Sequence, residues 1–258
     1  MVQTQPFSLG FILQFLDPDL VETIALAGID YMVFCLEHTG KTIESAYPCL
    51  LAAYAHDVPA LIRTADKDQY LIEQALDAGA QGVVVPMVET VEECENIVKA
   101  AKYAPVGTRG FCPTNALSRW MNYVNPDFME YAKDANRDTF IVAMIESPKG
   151  FANLPEMVKV EGIDAFLLGP ADYGLYVQKG MFDPEVDRIM TEATETITKA
   201  GKLCIPTILP GHCKEHIEKG ARMGSIGRSV SMILQEYFGN AKKEILETME
   251  EVHANGKE

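Results

Sequence analysis

Residues 67–103 read KDQYLIEQALDAGAQGVVVPMVETVEECENIVKAAKY and hold an amphipathic run, a short apolar run and a second amphipathic run. The apolar run Gly82–Val88 has the length and continuity of a strand buried on both faces of a parallel sheet. The spacing of apolar residues predicts helices over Lys67–Ala78 and Val91–Tyr103 on either side of it. The stretch therefore predicts one helix–strand–helix unit of an α/β fold.

Local signals mark where several of the predicted helices begin. Asp66 precedes the helix predicted from Lys67, and Thr90 with Glu93 forms a capping box for the helix that follows. Asp183-Pro184 opens a later helix, because aspartate caps a helix and proline suits its first position. A final helix is predicted over residues 233–252.

The same unit recurs along the whole chain. Eight strands are predicted, over Leu9–Leu13, Tyr31–Leu36, Ala60–Thr64, Gly82–Val88, Phe140–Ile145, Ala165–Leu168, Leu203–Ile208 and Ser225–Ser229. Eight alternations with right-handed crossovers predict a (β/α)8 TIM barrel in a single domain spanning residues 1–258. An open doubly wound sheet is the alternative, but no G-x-G-x-x-G sequence follows the first strand.

One segment departs from this alternation of strands and helices. Residues 105–138, between the fourth helix and the fifth strand, are rich in proline and glycine. Long irregular segments inside a barrel are usually functional or form interfaces, so we predict an extended insertion here.

Composition limits the classes of partner. The formal net charge of the 258-residue chain is -15, which argues against nucleic acid as a ligand. None of the six cysteines forms a C-x-x-C pair, as expected of reduced thiols in a cytoplasmic protein. The apolar run Phe7–Leu16 leads into Asp17 and predicts a first strand rather than a signal peptide. No apolar run is long enough to predict a membrane span.

Polar residues cluster where the predicted strands end. Glu37 and His38 follow the second strand, Arg63 lies at the end of the third, Glu146 follows the fifth and Asp172 closely follows the sixth. The carboxyl ends of parallel strands share one rim of a barrel, and active sites of TIM barrels lie there. We therefore expect these five side chains to converge.

Each of these residues has a chemical and a structural interpretation. Glu146 and Asp172 are oxygen ligands of the kind that hard divalent cations prefer, or two separate surface acids. His38 suits general acid–base work, or is a hydrogen-bonded structural histidine. Arg63 suits a carboxylate or an enolate oxygen, or is an ion-pair partner of Glu37 or Glu146.

The segment Gly169-Pro170-Ala171 beside Asp172 has small residues that allow backbone amides to approach a ligand carboxylate. Its alternative interpretation is a tight turn. None of the eight predicted strands contains a lysine, which argues against Schiff-base chemistry.

Several short motifs, taken together and in order, resemble one known family. They are Leu26-Ala27-Gly28-Ile29-Asp30, Glu37-His38, Arg63, Leu76-Asp77-Ala78-Gly79-Ala80-Gln81-Gly82, Val85-Pro86-Met87-Val88-Glu89-Thr90, Pro105-Val106-Gly107-Thr108-Arg109-Gly110, Ser118-Arg119-Trp120, Ile145-Glu146 and Leu168-Gly169-Pro170-Ala171-Asp172. In these residues the chain resembles the metal-dependent 2-oxo-acid aldolases of the 4-hydroxy-2-oxoheptanedioate aldolase type, the HpcH/HpaI aldolase family. The resemblance runs from about Gly10 to the last helix.

The resemblance implies a class II aldolase that reversibly cleaves a 4-hydroxy-2-oxo acid to pyruvate and an aldehyde. It implies a divalent metal, Mg²⁺ or Mn²⁺ with Co²⁺ as a third option, on Glu146 and Asp172. His38 would be the base, Arg63 the enolate stabiliser, and Gly169, Pro170 and Ala171 would contact pyruvate. It gives Asp77 a role in raising the basicity of the histidine, and it implies a homo-oligomer, commonly a hexamer.

Our own interpretation puts Asp77 at a helix end before the fourth strand, on the face away from the site of its own barrel. If Asp77 acts, it acts across a subunit interface. Otherwise it is only a helix-end residue.

Two positions depart from the family pattern. Cys35 stands where the family has an aspartate three residues before the histidine. Met144 occupies a substrate-binding position where the family has a glutamine, and a thioether cannot hydrogen-bond pyruvate in the way an amide does. These departures put the acid–base and substrate shell in question rather than the metal centre.

Two other functions are therefore kept open. The same site would support other metal–enolate chemistry on a 2-oxo acid, such as oxaloacetate decarboxylation. The third hypothesis is a catalytically impaired barrel that only binds.

Overall fold

The computed structural model of the chain describes residues 6–112 and 127–255, and nine strands lie within them. Every strand pairing in this part of the chain is parallel. The strands are Ser8–Leu13 (β1), Tyr31–Cys35 (β2), Ala60–Arg63 (β3), Gly82–Val85 (β4), Phe140–Ile145 (β5), Ala165–Leu168 (β6), Leu203–Ile205 (β7), Thr207–Ile208 (β8) and Met223–Ile226 (β9).

The strands form one sheet in the order β7-β6-β5-β4-β3-β2-β1-β9-β8. Its two ends, β7 and β8, are consecutive in the chain and separated only by Pro206. Proline has no N–H to donate and so interrupts the strand, while its carbonyl accepts a hydrogen bond from the Ser225 amide at 3.0 Å. The sheet is therefore a nearly closed parallel barrel. The single strand predicted over Leu203–Ile208 is wrong in this detail, because Pro206 splits it.

The predicted helices are present, with small shifts at their ends. The described helices are Pro18–Leu26 (α1), Ile43–Ala55 (α2), Gln69–Asp77 (α3), Val91–Ala101 (α4), Phe128–Asp138 (α5), Pro148–Met157 (α6), Pro170–Tyr176 (α7), Pro184–Lys199 (α8), Lys214–Glu218 (α9) and Val230–Asn255 (α10). The capping box of Thr90 and Glu93 is confirmed. The predicted start at Lys67 is wrong, because Asp68 rather than Asp66 caps α3 by accepting a hydrogen bond from the Tyr70 amide at 2.7 Å.

The segment predicted as an insertion is not irregular throughout. Its last third is α5, which begins where the Asp127 side chain accepts hydrogen bonds from two following amides. Phe111 and Phe128 pack edge to face at a centroid distance of 5.3 Å, so the described parts of the segment are in contact. Residues 113–126, including the motif Ser118-Arg119-Trp120, lie outside the described residues.

Alternate strand residues fill the barrel interior. The interior cluster includes Tyr31 and Val33 of β2, Leu61 of β3, and Val142 and Met144 of β5. Because side chains alternate along a strand, this face continues toward the carboxyl ends through Cys35, the last residue of β2, and through Glu37, Arg63 and Glu146. The packing of the interior thus orients the polar residues at the rim.

The chain divides into two compact units, one ending at Ile226 and one beginning at Gly227. The barrel belongs to the first unit and α10 to the second. The single domain expected from the sequence stays a prediction. Among the described helices, none combines the length and apolar character that crossing a bilayer requires.

Candidate active site

Arg63 is the most tightly held of the rim residues. Its side chain is buried, and its Nη1 atom lies 3.2 Å from Oε2 of Glu37. The Sγ atom of Cys35 accepts from Nε at 3.3 Å and from Nη2 at 2.8 Å, and Sδ of Met144 lies 3.7 Å from Nη1. A guanidinium has five N–H donors, so these contacts leave an Nη2 donor for a ligand.

The two residues that depart from the family pattern thus have the same neighbour. Cys35 and Met144 both direct sulfur at the Arg63 guanidinium. Sulfur is a weak acceptor, so these contacts orient the guanidinium without neutralising its charge. Cys35 therefore positions Arg63.

Glu37 is the carboxylate that stands beside His38. Its Oε2 atom lies 3.5 Å from Nε2 of His38 and 3.2 Å from Nη1 of Arg63. Burial raises the pKa of Glu37, while Arg63 and His38 oppose that rise. The imidazole itself is exposed over more than half of its surface. A carboxylate between the guanidinium and the imidazole orients both, and its pairing with Arg63 is the ion pair predicted from the sequence as an alternative for Arg63.

Glu146 is a buried carboxylate with one free oxygen. Oε1 accepts a hydrogen bond from the Met87 amide at 2.8 Å, whereas Oε2 is buried and has no hydrogen-bond partner among the described residues. Burial raises the pKa of Glu146 from 4.5 to about 7 against the Met87 hydrogen bond, and the nearby charges of Glu37 and Asp172 add to the rise. An uncompensated buried carboxylate oxygen is costly, and a cation would remove that cost.

Met87 is held in a conformation that few non-glycine residues adopt. Its φ angle is 53°, and Nζ of Lys67 donates to its carbonyl at 3.0 Å. Lys67 is fixed in turn by Oε1 of Glu93 at 2.6 Å. Strained backbone of this kind is retained where a group must be aimed, and here the Met87 amide is aimed at Glu146. Sequence patterns do not reveal this contact.

Gly169 lets the segment after β6 approach Glu146. A Cβ atom at this position would lie 2.6 Å from Cβ and 2.8 Å from Oε2 of Glu146, so only glycine fits. Pro170, Ala171 and Asp172 follow in the first turn of α7, with Ala171 exposed and Asp172 half-buried. Asp172 is close enough to raise the pKa of Glu146. The structure therefore brings both predicted metal ligands to one place.

Asp77 lies elsewhere within the chain. It is the last residue of α3 and so precedes the amino end of β4, opposite the rim that carries the other site residues. Its Oδ1 atom pairs with Nη2 of Arg109 at 2.7 Å, and Arg109 stacks on Tyr103 at 4.6 Å. A catalytic role for Asp77 stays a prediction that requires a neighbouring subunit.

A cluster of three or more histidine, cysteine, aspartate or glutamate ligands does not occur in the described part of the chain. The two ligands predicted from the sequence, Glu146 and Asp172, are both carboxylates. Mg²⁺ and similar ions are commonly bound by one or two carboxylates together with water and substrate oxygens. The donor set fits such an ion.

The sequence profile of the family described as HpcH/HpaI aldolase/citrate lyase matches residues 9–227. The chain belongs to this family. The match covers all of the rim residues described above and the described strands, apart from Ser8 at the start of β1. Family membership and this barrel agree with the resemblance that the motifs indicated.

Individual relatives are named as aldolases. The chain is 31% identical over 230 residues to a hydroxypyruvate/pyruvate aldolase of Delftia acidovorans, which covers 88% of this chain and 84% of that protein. It is 39% identical over 168 residues to a 4-hydroxy-2-oxovalerate aldolase of Novosphingobium aromaticivorans, covering 65% and 62% of the two chains. The crystal structure of an HpcH/HpaI aldolase from Desulfitobacterium hafniense superposes with a TM-score of 0.85 at 25% identity, over 93% and 92% of the two chains.

Proposed function

We propose that the chain is a divalent-metal-dependent aldolase that reversibly cleaves a 4-hydroxy-2-oxo acid to pyruvate and an aldehyde. The observation that carries this proposal is the free, buried Oε2 atom of Glu146 beside Asp172 and Arg63. The family and the names of the relatives support the reaction class. The barrel supports the finer assignment of a (β/α)8 TIM fold, with β7 and β8 taken as one interrupted strand.

Glu146 and Asp172 would hold the metal through carboxylate oxygens, which suit Mg²⁺, Mn²⁺ and Co²⁺ alike. Once bound, a divalent cation polarises the ketone of a 2-oxo acid and favours its enolate. The backbone from Gly169 to Ala171 would place the pyruvate carboxylate, since the small residues there leave room for a ligand. Met144 would border pyruvate through an apolar contact, because its sulfur already faces Arg63.

Arg63 and His38 would share the remaining chemistry. The free donor of the Arg63 guanidinium would stabilise negative charge on the ketone oxygen as cleavage proceeds. The exposed imidazole of His38 would take the proton of the 4-hydroxyl group while the bond between carbons 3 and 4 breaks. Glu37 would keep the imidazole in place.

Pyruvate methyl-proton exchange in D₂O, followed by NMR, tests the proposal without knowledge of the aldehyde. We expect exchange that requires Mn²⁺ and stops when EDTA is added, because enolate formation needs the charge of the cation. Binding of Mn²⁺ without exchange would contradict the aldolase and favour a barrel that only binds. Rapid oxaloacetate decarboxylation without aldol cleavage would instead favour different enolate chemistry.

We also propose a cytoplasmic homo-oligomer, a hexamer if the family pattern holds. Apolar side chains at Ile233, Tyr237, Phe238, Ile245 and Met249 are exposed on α10. A long run of exposed apolar side chains usually marks an interface. Light scattering is expected to give a mass several times that of one chain, and the mass of a single chain at micromolar concentration would contradict this.

A further inference from the structure

A second polar atom is buried without a partner at the rim of the barrel that holds Glu146. The Oε1 atom of Gln14 has no hydrogen-bond partner among the described residues, like Oε2 of Glu146. Leaving such an atom unpaired is unfavourable, because a buried acceptor loses its hydrogen bonds with water and gains none in return. Glu146 has its role in the site described above, whereas Gln14 has none.

The sheet register, extended by one residue beyond β1, places Gln14 beside Cys35 and two strands away from Arg63. Gln14 directly follows β1, two residues after Ile12, which packs against the interior cluster. Leu13 pairs with Phe34, so Gln14 continues the same row beside Cys35, and Cys35 pairs with Arg63. Side chains two residues apart share a face, so Gln14 extends the interior wall at its carboxyl end.

Gln14 and the proposed metal ligand Glu146 stand on opposite walls. From β1 to β5 there are four steps around the sheet in either direction, when β7 and β8 count as one position. A ligand group that reaches Gln14 is therefore remote from the oxo-acid group at Glu146 and Asp172. In a 4-hydroxy-2-oxo acid, the remote part is the half that leaves as the aldehyde.

The unpaired atom also defines the chemistry of that group. An amide oxygen is a neutral acceptor, so its partner is a hydrogen-bond donor, and that donor does not have to carry a charge. The group in an aldehyde that meets this requirement with the fewest atoms is a hydroxyl. A site built to hydrogen-bond a hydroxyl discriminates against the analogue that lacks it, because the site group then stays buried and unpaired.

We propose that Gln14 selects aldehydes that carry a hydroxyl group by accepting a hydrogen bond from that hydroxyl. This inference rests on the proposed aldolase function and narrows its substrate class to hydroxyaldehydes. Gln14 would be a specificity residue that takes no part in proton transfer.

The test compares glycolaldehyde with acetaldehyde, which differ by one hydroxyl group, in Mn²⁺-dependent condensation with pyruvate. We expect wild type to have the higher kcat/KM for glycolaldehyde. Gln14→Met keeps a side chain of similar length but removes the amide. In this variant kcat/KM for glycolaldehyde is expected to fall about tenfold, because one hydrogen bond to the substrate is lost. For acetaldehyde it should change less than threefold.

Thr191→Val provides the matched control. Thr191 lies on α8, and its Oγ1 atom is also buried and unpaired, so the variant removes the same kind of defect on an outer helix. We expect it to leave both kcat/KM values unchanged. Equal losses for both aldehydes in Gln14→Met, or a wild type without preference, would overturn the inference and leave a bound water as the partner of Gln14. A wild type that condenses neither aldehyde and shows no pyruvate exchange would overturn the proposed function itself.

Discussion

Glu146→Gln is expected to abolish Mn²⁺ binding and, with it, metal-dependent pyruvate exchange. The amide has nearly the same shape and keeps an oxygen for the Met87 N–H, but it lacks the negative charge that a cation requires. Only Asp172 would remain as a carboxylate at the centre. Titration calorimetry with Mn²⁺ and exchange measured by NMR check this outcome. Metal-dependent pyruvate exchange that persists in the variant would contradict the assignment of Glu146 as a metal ligand.

The same substitution is expected to make the metal-free protein more stable. The folded-state pKa of Glu146 is raised from 4.5 to about 7, so the folded protein holds the proton more strongly than the unfolded chain does. The free energy of unfolding of the metal-free wild type therefore decreases as pH rises from 4.5 to about 7, and it stays lower above that pH. Glutamine mimics the protonated form, so the variant should be the more stable protein at pH 8, with little difference at pH 4.

The expected gain at pH 8 is on the order of 3 kcal/mol, since each pKa unit corresponds to about 1.4 kcal/mol. Chemical denaturation in EDTA at pH 4 and pH 8 measures it. Glu156→Gln is the control, because that exposed side chain pairs with the exposed Lys159 at the protein surface. Added Mn²⁺ should then stabilise wild type and the control but not Glu146→Gln. A variant less stable than wild type at pH 8 would show that Glu146 is not destabilising in the metal-free fold.

His38→Ala is expected to lower kcat for aldol cleavage by about 10²–10⁴-fold, the usual contribution of a general base. Glu146 and Asp172 are untouched, so Mn²⁺ affinity should stay the same. Steady-state cleavage of 4-hydroxy-2-oxovalerate measures the loss.

His56→Ala is the matched control for this variant. His56 also pairs with a glutamate, Nε2 lying 2.8 Å from Oε1 of Glu22, but it follows α2 and is not at the rim. Its removal should leave kcat unchanged. Equal turnover in wild type and His38→Ala would leave the proton transfer to another group and contradict the proposed mechanism.

The contacts of Cys35 and Met144 bear on the three functions that the sequence left open. Both sulfur atoms face Arg63, and the carboxylate beside His38 is Glu37. The chain lacks the aspartate and the glutamine of the family pattern. Glu37 nevertheless provides a carboxylate at His38, and the two sulfur atoms orient the Arg63 guanidinium. This arrangement supports an active aldolase over a barrel that has lost catalysis.

Local sequence patterns were sufficient to predict most of the strands and helices. The strands β5 and β6 have the predicted bounds, because continuous apolar runs of strand length can be read one residue at a time. The capping box at Thr90 was predicted because both of its partners lie within one helical turn. The helix α5 was missed, because the proline and glycine residues before it indicated an irregular segment throughout.

The sequence by itself determined the parallel barrel, the family and the placement of Glu37, His38, Arg63, Glu146 and Asp172 at one rim. Those features depend on strand ends and short motifs, which are local properties of the chain. Only the tertiary structure decided which atoms are paired. The Arg63 guanidinium meets sulfur from residues 28 and 81 positions away, and the Met87 amide reaches Glu146 across 59 positions. The free oxygens of Glu146 and Gln14 also emerge only in the fold, because burial and the lack of a partner depend on every neighbouring strand.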